Sequence, residues 1–262
     1  MNKIERVDAV LAGRQPDRAP ASFWCHFGAE AICGPKAVAA HVQHVETYDV
    51  DFLKIMDDNR YPRPAIRSGV ITNAADLDRL EVLRGDEGAF GRQLELIAAL
   101  ARQLGGQLRM ATTVFNSWST LRHLTMPETG RHGPPTLAGG QAPQDALLAR
   151  LLHEAPAAMA RALEVITESL VHFVKHALAA GADGVFLAVR DDWVDTLESP
   201  GTYDRLVRPC DLKILQASAQ GSFNILHVCG KALDFRRFGL CAGEPEKPTA
   251  ASVHSTSCVD CR

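Results

Sequence analysis

An α/β fold with a parallel sheet is what this sequence predicts. Apolar segments of strand length alternate with helical stretches along the chain, the pattern of βα units. Two of those segments, GVFLAV at 184–189 and NILHVC at 224–229, are apolar without alternation, as in strands buried on both faces. Phosphate-binding glycine motifs of the GxGxxG and GxxxxGK[ST] types are absent, which removes the dinucleotide and P-loop readings.

The elements follow in order. Residues 2–12 carry Ile4, Val7, Val10 and Leu11 at helical spacing, with Gly13 and Pro16 to stop them. The aromatic segment 19–26 predicts a first strand, 35–48 a helix, and DFLKIM at 51–56 a second strand. Helices are expected at 76–82 and 88–104, the latter ended by Gly105-Gly106, and a Thr- and Val-rich third strand at 108–115. Residues 116–142, with Gly and Pro clusters, read as a long loop of the functional or mobile kind. Helices at 143–153 and 155–179, the strand at 184–189, a helix at 203–219, the strand at 224–229 and a helix from 231 to 238 complete the pattern. From Gly239 onward large apolar residues are limited to Leu240, Val253 and Val259, so 239–262 is expected to be a disordered polar tail.

The composition narrows the function classes. The chain has 262 residues, 28 Lys plus Arg against 31 Asp plus Glu, and a net charge of −3. That balance gives no basic field for nucleic acid, and no apolar run reaches the ~20 residues of a membrane span. The N-terminus lacks an apolar signal-peptide core, so a cytoplasmic location and reduced thiols are expected for its seven cysteines.

Several residues could carry chemistry. His227 and Cys229 are two apart on a strand and so share a side; imidazole with thiolate is a natural zinc pair. The alternative is a hydrogen-bonded histidine beside a buried thiol. Cys258 and Cys261 have metal-like spacing, though two cysteines in a polar tail can equally be idle. Asp57 and Asp58 follow the second strand, as general acid–base groups, charge stabilisers or helix caps. His26, in FWCHF, could shuttle a proton or serve as a structural histidine. Asp191, Asp192 and Trp193 follow GVFLAV, where Asp192 and Trp193 could line a pocket or respectively cap and pack. His172 and His176 lie one turn apart on a helix without the intervening Glu of a metalloprotease motif, and read as a packed or solvated helix face.

PDRAP, YDVDFLKIMDD, AAGADGVFLAV, ESPGTYDRLVRPCDLKIL and NILHVCG together resemble the uroporphyrinogen decarboxylase family, over roughly 1–238. The resemblance implies a (β/α)8 barrel with its site at the C-terminal strand ends. It also implies a barrel that is incomplete at the C-terminus, with about five βα units in a domain at 1–238. A shifted reading frame or an early stop would leave such a tail. In the corrinoid-dependent methyltransferase branch, an HxC pair on this strand holds zinc with a later cysteine. The expected function is then methyl transfer from a corrinoid on a partner protein to a zinc-activated thiol, with His227 and Cys229 as metal ligands. Cys241, Cys258 or Cys261 would substitute for the missing third. In the decarboxylase branch, which needs no cofactor, Asp58 matches the carboxylate that binds pyrrole N–H groups of the tetrapyrrole. There, the long-loop tyrosine registered on Trp118 falls on His123, and the two substrate-clamping arginines fall on Cys25 and Ala29. Trp118, His123, Asp192 and Trp193 are the expected substrate contacts. The resemblance also admits a homodimer, and it admits a non-catalytic remnant.

Overall fold

The computed structural model describes residues 1–66, 68–127, 143–190, 201–229 and 251–252. Strands β1 (Phe52–Ile55), β2 (Arg109–Phe115), β3 (Gly184–Arg190), β4 (Ile225–Cys229) and β5 (Ala251–Ser252) form one sheet. Their order is β1-β2-β3-β4-β5, and every neighbouring pair is parallel. Each new strand is laid beside its predecessor in one direction. Right-handed crossovers then put the helices that connect the strands on the same side, the winding of a (β/α) barrel rather than of a doubly wound sheet.

Most of the helices are those the periodicity predicts, with local reasons for their ends. α1 (Lys3–Leu11) starts with a capping box between Asn2 and Glu5. α2 (Gly34–Tyr48) has a proline in its first turn and ends at Asp49 in the left-handed region. The helix expected at 76–82 is not formed there: a single turn, α3 (Ala74–Leu77), capped by Asn73, stands at its start and ends at Asp78, well before α4 (Gly88–Leu104). α6 (Pro143–Glu154) leads into α7 (Pro156–Ala179), and a π-helical turn at Tyr203–Val207 leads into α8 (Arg208–Ser218).

Two expectations are corrected. Segment 19–26 is extended but forms no strand: its only backbone bond to β1's entry is from the Asp51 N–H to the Ala21 carbonyl, at 2.8 Å. Pro20 offers no N–H there, and side chains do the pairing instead. The Asp51 carboxylate accepts from the Ala21 N–H at 2.8 Å, and Ser22 Oγ donates to the Phe52 carbonyl at 2.7 Å. The stretch from 116 is not all loop, because α5 (Ser117–Leu124) occupies its first part. Asn116 caps it by accepting from the Ser119 N–H, and Trp118, Leu121 and Leu124 are buried. The rest of that predicted loop and the helix at 231–238 lie outside the described residues. Of 239–262, Ala251–Ser252 pairs with Ile225 and Leu226, so β5 comes from the stretch expected to be a polar tail.

The sheet has two unlike faces. The outer face packs Leu53, Ile55, Val114, Leu187 and Val228 against α4, α7 and α8 in the main core. The inner face carries a smaller cluster that includes Phe52, Ala111, Phe186, Phe223 and Ile225, with Val7 of α1 closing the strand starts. Arg109 fixes α1 there through Asp8 (2.7 and 3.0 Å) and Asp183 (3.0 Å). The PDRAP and YDVD segments meet on the same side. Arg18 holds the buried Asp51 carboxylate with both guanidinium nitrogens at 2.5 and 2.9 Å, while Arg6 bridges it to Asp17.

Candidate functional site

The sequence places its chemistry-bearing residues past the C-terminal ends of β1 and β2 and within the last residues of β4, toward the end where a parallel barrel opens its site. β1 delivers Asp57 and Asp58 by way of Met56, whose peptide is gripped at both ends. The Met56 N–H donates to His41 Nε2 at 3.2 Å, and its carbonyl accepts from Gln93 Nε2 at 3.0 Å. The opposite nitrogen of His41 lies 2.8 Å from the Ala37 carbonyl and must be its donor, so His41 is neutral; burial pulls its pKa to about 4. Gln93 is locked in turn by Asn59, whose amide donates to Gln93 Oε1 at 2.8 Å.

Beyond this clamp the two carboxyls part. Asp58 is buried and its Oδ1 lies 2.7 Å from His26 Nδ1, with His26 partly exposed. Such a pair can exchange a proton with a ligand and hold developing positive charge. Asp57 turns into a cleft and accepts from the Arg60 N–H at 3.0 Å. Desolvation of its carboxyl, with neighbouring Asp58 adding repulsion, pushes its pKa up to about 7.

The same cleft holds His123, together with Arg60, Arg63, Tyr61 and the ring of Phe115. Burial first, then the charges of Arg60, Arg122 and Arg63, pull the His123 pKa down to about 3, so this imidazole is neutral. Asp57 and His123, predicted separately, are thus brought together. Trp118 is not: it is fully buried in the outer core, facing helices and not the cleft.

His227 sits on the inner face of β4. Its ring packs on Phe186 at 5.2 Å and edge-on to Trp24 at 6.2 Å, and it makes no hydrogen bond among the described residues. Lys54 reaches the same rings, with Nζ 4.3 Å from the Phe186 centroid and 4.8 Å from Trp24. Burial and then the Lys54 charge bring the His227 pKa to about 4. Cys229 closes β4 in register with Arg190; its side chain lies outside the described residues, as do Asp191, Asp192, Trp193, Cys241, Cys258 and Cys261. No group of three or more potential metal ligands occurs among the described residues, and no described helix is long and apolar enough to cross a membrane.

Sequence reasoning missed Lys54, Arg60, Arg63, His41 and Gln93. Lys54 had a visible signal, a lone cation inside the apolar run DFLKIM. The others join segments far apart in sequence.

Comparison with known proteins gives consistent matches. Residues 52–239 match the family model described as Uroporphyrinogen decarboxylase (URO-D). A curated relative named Uroporphyrinogen decarboxylase, from Syntrophotalea carbinolica, is 31% identical over 213 residues, 74% of this chain and 55% of that protein. Another of the same name, from Carboxydothermus hydrogenoformans, is 30% identical over 175 residues, covering 64% of this chain and 43% of that protein. The chain therefore spans about half the length of the curated relatives it matches. A solved methyltransferase from Methanosarcina mazei superposes with a TM-score of 0.55 at 15% identity, over 88% of this chain and 70% of that one, a likeness of fold.

Proposed function

Because this chain belongs to the uroporphyrinogen decarboxylase family, we propose that its inner face serves methyl transfer from a corrinoid carrier protein to a small thiol. Zinc would be held there through His227 and Cys229. The observation that carries this reading is the state of His227. For a half-buried imidazole the alternative to binding metal is a hydrogen bond to protein or water. This one has none among the described residues, and it is held neutral, the form in which histidine binds metal. The donor types fit the ion: a neutral imidazole with a thiol two positions along the strand. Bound zinc would supply Lewis acidity that makes the substrate thiol a thiolate at neutral pH.

The chain's own residues do the rest. Lys54 disfavours protonation of His227, keeping its lone pair available. Trp24 and Phe186 shield the ring from water on the side they cover. Cys241, Cys258 and Cys261 remain the candidates for the third ligand. The test is metal content of the purified, folded chain. About one zinc per chain is expected, falling severalfold in His227→Gln and in Cys229→Ser while far-UV circular dichroism is unchanged. Folded protein that takes up no zinc on titration would sink the reading.

One observation favours a second reading, metal-free decarboxylation of a carboxylated tetrapyrrole. Asp58 stands at the strand end, buried and paired with His26 at 2.7 Å. The positions of the substrate-clamping arginines hold Cys25, which is exposed, and Ala29. Release of carbon dioxide from a porphyrinogen, abolished by Asp58→Asn, would establish this reading over the first.

A further inference from the structure

His26 and Asp58 belong to two segments that do not pair with each other as strands. His26 lies in the extended 19–27 stretch, and Asp58 stands three residues past β1. Both segments are fastened to α2. Two buried histidines of that helix, His41 and His44, are three positions apart and so share one face.

The two rings do opposite jobs. His44 Nε2 lies 2.7 Å from the Phe23 carbonyl, which can only accept, so His44 donates to the segment that carries His26. His41 Nε2 accepts the Met56 N–H at 3.2 Å, two residues before Asp58. Its Nδ1 proton goes to the Ala37 carbonyl at 2.8 Å, so a lone pair is what His41 offers the strand end. Phe27, directly after His26, completes the arrangement, its ring centroid 4.6 Å from His41 and 5.8 Å from His44. His26 is thus bracketed by two anchors on α2, the Phe23 carbonyl and the Phe27 ring, and Asp58 hangs from a third, the Met56 peptide. Apolar rings would fill the same space. Here each histidine instead spends a nitrogen on the main chain of a segment that carries one member of the pair.

We propose that His41 and His44 are positioning residues for the His26–Asp58 pair, setting the distance and aim at which the imidazole meets the carboxyl. The proposal rests on that pair as an acid–base unit and not on the metal reading. Such support matters in an active site, where a misplacement of roughly 1 Å can cost about 100-fold in rate.

The test uses the full chain and reads the His26 ring nitrogens by NMR at about pH 8, above the ordinary histidine range. The bond to the Asp58 carboxylate should hold the ring proton on Nδ1, and Asp58→Ala should release it to the mixed tautomers of a free imidazole. His41→Leu removes the acceptor, and His44→Phe removes the donor while keeping a ring; both should release the Nδ1 proton in the same way. His41→Gln and His44→Gln, whose amides can accept and donate from the same places, should keep it on Nδ1. Urea midpoints are measured alongside, because a role in packing alone would lower them without moving the His26 tautomer. Should an apolar variant not fold, the glutamine variants decide, and a folded one that loses the Nδ1 preference overturns the proposal. A tautomer that is the same with and without Asp58 would sink the pair itself, and the positioning proposal with it. One that answers to Asp58 but stays unchanged in folded His41→Leu and His44→Phe would sink the positioning proposal alone.

Discussion

The two faces of the sheet are built to different standards. On the outer face Ile55, Val114, Leu187 and Leu226 are nearly or wholly buried among helix side chains, and the polar exceptions are few. On the inner face, aromatic rings share the space with an ammonium, an imidazole and hydroxyls. Thr113 donates to the Ile55 carbonyl at 2.8 Å, and Lys54 lies over Phe186. Dispersion and burial favour the first arrangement; the second forgoes some of both for groups that bind and titrate. The contrast shows where this chain invests in stability and where it keeps reactive atoms.

The sharpest way to break that contrast is to delete volume on the outer face. Leu187 is fully buried, so Leu187→Ala should cost about 3–4 kcal/mol of unfolding free energy, read from urea midpoints at constant slope. A cost below about 1 kcal/mol would mean that the outer core is not the stabilising layer.

The second effect comes from the outer layer's own polar exception. Asp211 is buried beside Tyr203, whose hydroxyl donates to Oδ2 at 2.6 Å, and Asn116, whose amide donates at 3.3 Å. Its Oδ1 has no partner among the described residues. Burial pushes its pKa from an ordinary 3.8 to about 7. The folded state therefore keeps a proton that the unfolded state releases. The stability this contributes is full below about pH 4 and is lost as pH rises to about 7. Over that window the unaltered chain should lose roughly 2–4 kcal/mol relative to Asp211→Asn. Urea midpoints measured every half pH unit check it; parallel curves for the two chains would refute the assignment.

The smallest stability effect belongs to the inner face. Lys54→Met keeps the stem and removes the charge, so stability should change by no more than about 1 kcal/mol. The telling readout is His227. In chelator-treated protein its titration, at about pH 4 with Lys54 present, should move up toward the ordinary histidine range. An unmoved His227 would show that burial alone sets its state.

Much of this architecture was readable from residues alone, for a physical reason. Strands such as GVFLAV and NILHVC are apolar on both faces, and α7 repeats its apolar stripe over 24 residues, so local pattern and tertiary burial agree. Segment 19–26 misled because its aromatics suit a strand, whereas Pro20 and the side-chain pairing to Asp51 decide otherwise. α5 was hidden because the Gly and Pro residues further along drew the whole stretch into a loop, although Asn116 is a good cap. For the site, the motif residues Asp57, Asp58, His26, His123 and His227 were visible as residue types. Their partners were not: His26 and Asp58 are 32 positions apart, and Gln93 meets Met56 across 37. No spacing rule reaches across such distances, because the contact exists only once the helices have docked.

The double grip on the Met56 peptide has a consequence for how far a disturbance travels. His41 belongs to α2 and Gln93 to α4, so the acidic pair hangs from the joint between two helices and not from the strand alone. A shift of a few tenths of an ångström at that seam, too small to unfold anything, would reach Asp57 and Asp58 within one peptide's length. The seam acts as a tuning peg for the carboxyls, and drift accumulated there over evolution would retune the mouth while every residue lining it stayed the same.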